Sequence, residues 1–252
     1  MRIDFFVINL DRSAERLAAI RQDAAALGIG LIRVPAVDGK SVPAERRDLL
    51  DRTGFLRWHG KHPMDGEYGC YASHLDALRR IAAGAAEAGV ILEDDAKPLP
   101  ALVPVLEALM ERDDWDVVRF AHHRRAPRRL LRELPEGRGL FAVFVGPTGS
   151  AAGYIVRRSA AAGLADRLTP MRLPFDVALE RGWATGTRTR DVWPNLVAYN
   201  THSKESLTQN GRDYGAMKLK PWRRLPTLVF RTLDTVRRFA FAAAARRSER
   251  RS

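Results

Sequence analysis

Val90-Ile91-Leu92-Glu93-Asp94-Asp95 sets three branched apolar residues directly against three adjacent acids. A short, unbroken apolar run reads as a strand buried on both faces. Upstream, Ile3 to Leu10 is a second such run, and Ser13 offers an N-cap. Leu17, Ile20, Ala24 and Leu27 follow at helical spacing and stop at Gly28. Leu31 to Val34 predicts another short strand, closed by Pro35 and followed by the polar loop Asp38-Gly39-Lys40-Ser41. Residues 54–66 read as irregular, and a helix is expected from Glu67 with Leu75, Leu78 and Ile81 on one face.

Downstream the alternation continues. Pro100 to Arg112 predicts a helix and Val117 to Phe120 a strand, while the charged stretch from His122 to Arg138 reads as a loop. Leu140 to Val145 and Tyr154 to Val156 are expected strands around a Gly-rich turn, and Ser159 is placed to cap a short helix. Strand and helix in turn imply an α/β domain of three layers with a mostly parallel central sheet. Leu225, Val229, Leu233, Val236 and Ala240 fall on one face of a last helix, with Thr227, Arg231, Asp234 and Arg238 on another. That pattern divides the chain into a domain over residues 1–217 and a basic amphipathic tail over 218–252.

In open α/β sheets, ligands gather at the carboxyl ends of strands, where Glu93-Asp94-Asp95 is expected. Three adjacent carboxylates repel one another, which raises at least one pKa or draws in a cation. Oxygen donors alone favour a hard ion such as magnesium or manganese, which can grip a diphosphate. The alternative is an exposed acidic turn. The loop after the first strand, from Asn9 to Arg16, leads into a helix N-terminus whose backbone N–H groups suit a phosphate, with Arg12 and Arg16 to add charge-assisted bonds. It contains no glycine, as the phosphate loop of a nucleotidyltransferase would.

The 252 residues carry a net charge of +12. Residues 218–252 hold eleven Lys or Arg against Asp234 and Glu249, a net +9, so most of the excess lies in the tail. A second cluster comprises Arg124, Arg125, Arg128, Arg129 and Arg132. Charge alone does not choose between nucleic acid, anionic lipid and no partner. The single cysteine, Cys70, excludes an internal disulfide and fits a reducing compartment. The first ten residues read as too short and too acidic for a signal peptide, and no apolar run approaches the roughly 18 residues that span a bilayer.

Several pieces together resemble family 25 glycosyltransferases, the lipooligosaccharide galactosyltransferases related to the collagen galactosyltransferases. They are Val7-Ile8-Asn9-Leu10-Asp11-Arg12-Ser13 with Arg16, Ala36-Val37-Asp38-Gly39, Glu67-x-x-Cys70-x-x-Ser73-His74 and Leu92-Glu93-Asp94-Asp95. Trp115-Asp116-Val117-Val118, Gly153-Tyr154-Ile155 and Leu173-Pro174-Phe175-Asp176 complete the order, over roughly residues 3–205. The resemblance implies a GT-A-type, Rossmann-like fold, a UDP-sugar donor and inversion at the anomeric carbon. It implies that Glu93-Asp94-Asp95 corresponds to an Asp-x-Asp-like motif for manganese or magnesium. Asp95 is then the direct ligand, and Glu93 or Asp94 turns toward ribose or ion.

By the same resemblance, Asn9, Leu10, Asp11, Arg12 and Arg16 face the sugar nucleotide, Asp38 the nucleoside, and Ser73 and His74 line the site. Asp38-Gly39 also suits a plain turn, and a lone histidine is often a packed one. Asp176 matches the family's base position, although it also suits a helix N-cap; Glu180, one turn on, is the substitute. His202 offers a late metal ligand. The expected reaction moves a hexose, galactose by resemblance, to a lipooligosaccharide or other lipid-linked glycan. Such acceptors imply a cytoplasmic enzyme held at the anionic inner membrane surface by its basic tail, with no nucleic acid partner. Two alternatives stay open at this point: a nucleotidyltransferase, and a non-catalytic protein that binds nucleotide sugars or anionic polymers.

Overall fold

The computed structural model describes residues 2–199 and 217–249. Eight strands form one sheet in the order β2-β1-β3-β8-β5-β9-β7-β6. Its first half is built from β1 (Ile3–Asn9), β2 (Leu31–Pro35) and β3 (Ala88–Glu93), all parallel. The other strands are β5 (Val117–Arg119), β6 (Arg128–Leu134), β7 (Arg138–Val143), β8 (Gly153–Arg157) and β9 (Thr189–Trp193). β8 is antiparallel to both β3 and β5, β9 runs parallel to β5, and β7 is antiparallel to β9 and β6. All strands but β7 and β8 therefore point the same way, in a mixed sheet. A separate pair joins β4 (Ala96–Pro98) to β10 (Val197–Tyr199).

Side chains alternate across this sheet, and both faces are covered. Val90 and Leu92 pack on one side with α1 (Ala14–Ala25) and α4 (Leu102–Met110). Ile91 packs on the other with α3 (Asp65–Ala83) and α5 (Arg158–Leu168). Val90, Ile91 and Leu92 are fully buried, each contributing about 1.5–3 kcal/mol through lost apolar exposure. That burial fixes the register of β3 beside β1, with Ile8 opposite Glu93, and brings the two strand ends together.

Three local expectations are corrected. Residues 54–66 are not all irregular, because Arg52–His59 forms α2. Its N-cap is Asp51, whose side chain accepts from Gly54 N at 2.8 Å, and Gly60 closes it with φ +76°. The charged stretch contains β6, since its arginines lay their stems along the protein and reach outward partners. Arg128 sits over Trp193 at 4.7 Å, Arg129 donates to Ala242 O at 2.7 Å, and Arg132 donates to Ala108 O at 3.0 Å. A cationic strand at a sheet edge also discourages pairing with another chain. Ser159 does not cap α5, which starts at Arg158 without a side-chain cap.

After the short α7 (Gly182–Thr185), the last helix, α8 (Leu225–Glu249), docks by its polar face. Thr227 and Arg238 are buried, Asp234 pairs with Arg181 at 2.8 Å, and Phe230 stacks on Trp58 at 5.0 Å. Leu225, Leu228, Val229, Leu233 and Val236 point away, each more than half exposed, while Phe239, as exposed, sets its ring 5.0 Å from that of Phe144. Among the described residues no helix is long and apolar enough to cross a membrane.

Candidate active site

The parallel ends of β1 and β3 set Asn9 beside the acidic triplet. Asn9 Nδ2 donates to Asp94 Oδ2 at 2.7 Å and to Ser13 O at 2.9 Å, and Arg16 lies 3.5 Å from the other oxygen of Asp94. Asp94 thus ties β3 to the first turn of α1. Glu93 turns the opposite way, with Oε1 3.2 Å from His74 Nε2 and 4.0 Å from Cys70 Sγ. The remaining carboxylate differs from both. Asp95 Oδ1 is buried and has no hydrogen-bond partner. Burial, then the charges of Glu93 and Asp94, push the Asp95 carboxyl up to about 7, against a smaller opposing pull from Arg16.

An unpaired buried carboxylate oxygen costs free energy unless a cation or donor meets it. The bare Oδ1 of Asp95 is therefore an oxygen that a hard divalent ion would satisfy. Cys70, His74 and Glu93 also lie within 4.8 Å of one another. Burial, and then the charge of Glu93, hold the Cys70 thiol well above its usual range in the absence of an ion.

The wall facing the triplet comes from the loop after β2 and the start of α3. A side chain at Gly39 would strike the backbone of Asp65, and one at Gly69 would strike Val37 O, so the two segments touch through bare backbone. Ser73 clamps this contact, accepting from Val37 N at 2.8 Å and donating to Gly69 O at 2.6 Å. Its place is therefore structural support for the loop as well as lining. His74 is fully buried, bonded to Tyr154 OH at 2.9 Å through Nδ1 and stacked on Phe175 at 4.2 Å. Both of its ring nitrogens are engaged, and its geometry orients Glu93.

One cleft is lined by Leu10, Arg12, Arg16, Asp38, Ser73, His74 and all three acids. Arg12 forms an ion pair with Asp38 across its mouth. Two expected residues stand outside it. Asn9 is buried behind Asp94, and Asp11 is exposed and paired with Arg33. His202 lies outside the described residues.

Asp176 lines a neighbouring cavity with Gly149 and Pro174. It is the second residue of α6 (Phe175–Leu179), and Pro174 holds the N-cap position, so Asp176 does not cap the helix. Phe175 beside it stacks on His74, which lines the acidic cleft. Burial, then the charge of Glu180, raise the Asp176 pKa, and the charge of Glu93 adds to the rise. Glu180 is engaged elsewhere. Arg119 lies 2.6 Å and Arg238 2.9 Å from its oxygens, and Thr148 N and Gly149 N both donate to it at 2.9 Å. Burial alone would raise its carboxyl, but Arg119 and then Arg238 bring it down to about 2. A carboxylate so satisfied is a poor base, which removes Glu180 as the substitute. Sequence reasoning missed this network; the signal available was an acid two residues beyond an apolar Val177-Ala178 pair, with no cue to partners as distant as Arg119 and Arg238.

Comparison with known proteins bears on these features. Residues 2–179 match the family model described as Glycosyltransferase family 25 (LPS biosynthesis protein). A Glycosyltransferase 25 family member of Anopheles gambiae is 27% identical over 240 residues, 90% of this chain and 36% of that protein. One of Aedes aegypti is 30% identical over 127 residues, 47% of this chain and 21% of the relative. Procollagen galactosyltransferase 1 of Danio rerio is 26% identical over 141 residues, 52% of this chain and 23% of the relative. The chain thus spans between about a fifth and just over a third of the length of these curated relatives. With the strand-end acids, the Ser73 clamp and Asp176 all inside the matched span, the chain belongs to glycosyltransferase family 25.

Proposed function

We propose that this protein is a metal-dependent, inverting glycosyltransferase with a GT-A-type domain. In this reading it moves a hexose, galactose in the first instance, from a UDP-sugar to a lipid-linked saccharide such as a lipooligosaccharide. The observation that carries the proposal is the buried, unpartnered Oδ1 of Asp95 at the end of β3, flanked by two further acids. Asp95 and Glu93 would hold manganese or magnesium. When bound, the ion would neutralise charge on the departing diphosphate. Arg12 and Arg16 beside the same cleft add fixed positive charge for those phosphates, and the backbone N–H groups at the start of α1 favour an anion. Asp38, at the far wall, suits the ribose or base of the nucleoside.

Asp176 is the base in this scheme. Its raised pKa equips it to take the proton of an acceptor hydroxyl. The acceptor oxygen then bonds to the anomeric carbon as the bond from that carbon to the UDP oxygen breaks, on the opposite face. Proton, sugar and UDP are accounted for without a further reactant. Asp176 lines the second hollow while its neighbour Phe175 stacks on His74 of the acidic cleft, and this adjacency supports the division into donor and acceptor sides.

Residues 1–217 form the transferase domain in this proposal and residues 218–252 its membrane-seeking tail, placing the enzyme at the cytoplasmic face. The support comes from a different face than the charge pattern suggested. The polar side of α8 is spent on Arg181, Trp183 and Glu180, and the outward stripe from Leu225 to Val236 is apolar. An outward apolar stripe on a cationic segment suits insertion among anionic lipid headgroups.

The test is a panel of UDP- and GDP-sugars incubated with and without manganese, following nucleotide release. UDP release that requires manganese, an acceptor saccharide and Asp95 supports the proposal. Preference for GDP-sugars refutes the donor assignment, and unchanged transfer by Asp95→Ala refutes the site.

A further inference from the structure

The second hollow has a chemistry of its own. It measures about 400 Å3, within the roughly 300–1,000 Å3 in which small-molecule sites fall. Five separate parts of the chain wall it: the end of α2 with the following loop, the loop after β5, the loop between β7 and β8, the turn and start of α6, and the start of α8 with its approach. Lys61 and Lys218 face each other across an isolated antiparallel bridge, and Leu219 N donates to Gly60 O at 3.0 Å. The approach to α8 is therefore fastened to the loop after α2, and the two lysines are held together by backbone.

The walls are cationic. Lys61, Arg124, Lys218, Arg224 and Arg231 line the cavity, and Asp176 is the one acid among its described lining residues. Folding gathers like charges there, which costs free energy that a bound anion would return. Two observations show the imbalance. Burial holds Lys61 down to about 8; the charge of Glu67 opposes that fall, and the charges of Lys218, Arg231 and Arg224 add to it. Arg224 Nε is buried with no hydrogen-bond partner.

We infer that this cavity is an acceptor subsite for a saccharide bearing an anionic group, phosphate or carboxylate, gripped by Lys61, Arg124, Lys218 and Arg231 beside Asp176. The inference rests on reading Asp176 as the acceptor-side base. It explains why cations from the C-terminal segment and from the loop after β5 converge on a hollow that holds no part of the acidic triplet. A neutral sugar would offer those cations no counter-charge. The diphosphate of the donor has its own cations, Arg12 and Arg16, in the other cleft.

The full chain, saturated with UDP and manganese, would be titrated by calorimetry with a hexose 6-phosphate, a hexuronic acid and a methyl hexoside. At least one anionic sugar is expected to bind about tenfold more tightly than the neutral one, the order of one or two charge-assisted bonds. Whichever does so identifies the anion. Arg124→Ala combined with Lys218→Glu, both at exposed positions, is expected to erase that preference. Thermal melting of the same variant checks that it folds. UDP affinity is measured separately and reports on the donor cleft. Equal binding of charged and neutral sugars, indifference to the double substitution, or displacement of the anionic sugar by UDP would each overturn the inference. If UDP fails to bind while the anionic sugar binds through Arg124 and Lys218, the subsite stands and the donor assignment falls.

Discussion

Glu180→Gln separates support from chemistry in this site. The Glu180 side chain is 2% exposed, and it faces Arg119 and Arg238, themselves 2% and 7% exposed. Glutamine keeps the shape and one acceptor oxygen but withdraws the charge that balances both guanidinium groups. Two estimates of the cost converge. The carboxyl lies at about 2 instead of 4.5, and at about 1.36 kcal/mol per unit this is worth about 3 kcal/mol at neutral pH. Breaking a buried ion pair from one side costs about 3–5 kcal/mol. Because the folded pKa is depressed, the contribution is present above pH 4.5 and is lost as pH falls toward 2.

Urea denaturation at pH 7 should therefore show Glu180→Gln less stable by about 3 kcal/mol. Between pH 4.5 and 2 the gap to the parent protein should close, since the parent loses the same charge by protonation. Turnover should fall as well, because Glu180 holds Thr148 N and Gly149 N, and a side chain at Gly149 would come within 3.7 Å of Asp176 Oδ2. A variant that stays within about 1 kcal/mol of the parent while losing turnover would refute the support role and return Glu180 to the chemistry.

Asp176→Asn should lower kcat by about 10²–10⁴-fold, with UDP affinity and urea midpoint retained, in a steady-state assay. Manganese at about a hundred times its dissociation constant should stabilise the parent by about 2.7 kcal/mol in thermal melts and leave Asp95→Asn unmoved. Manganese competes with the proton on Asp95, so its affinity should rise with pH up to about 7 and level off above, measured by calorimetry. Without metal the sign reverses for stability, because the raised carboxyl costs progressively more as pH climbs from 3.8 to 7. Leu233→Ser with Val236→Ser should weaken sedimentation with anionic phospholipid vesicles by about a hundredfold or more, given about 1.5–3 kcal/mol per buried apolar side chain. Its melting temperature should hold, since both positions are exposed.

The parts of this fold that rest on local pattern were legible in the chain. Val90 to Leu92 and Ile3 to Asn9 are buried strands because their side chains are apolar on both faces, and their ends meet where the acids follow. The helix around Ser73 and His74 announced itself by spacing. Which way each acid turns was not legible, because it depends on Asn9 and Arg16 on one side and His74 on the other. The strand at 128–134 was hidden by its arginines, whose stems pack while their heads find distant carbonyls. The tail misled in a related way. Its two faces were correctly separated, but a polar face normally seeks water, and here it meets buried partners that arise from remote residues such as Glu180 and Arg181. Partners that far apart in the chain leave no periodicity to read.

Every residue lining the cleft beside the acidic triplet precedes Ala96, and apart from His59 and Lys61 every residue lining the basic hollow follows Ala121. If the proposed division into donor and acceptor sides holds, the two are encoded by nearly consecutive blocks of chain that meet at β4. Grafting the later block from a relative onto this earlier one would then exchange the recipient while leaving the proposed donor cleft in place. A crossover near Pro98 would keep most lining side chains of each block together, provided that the incoming block retains Tyr154 and Phe175, which hold His74.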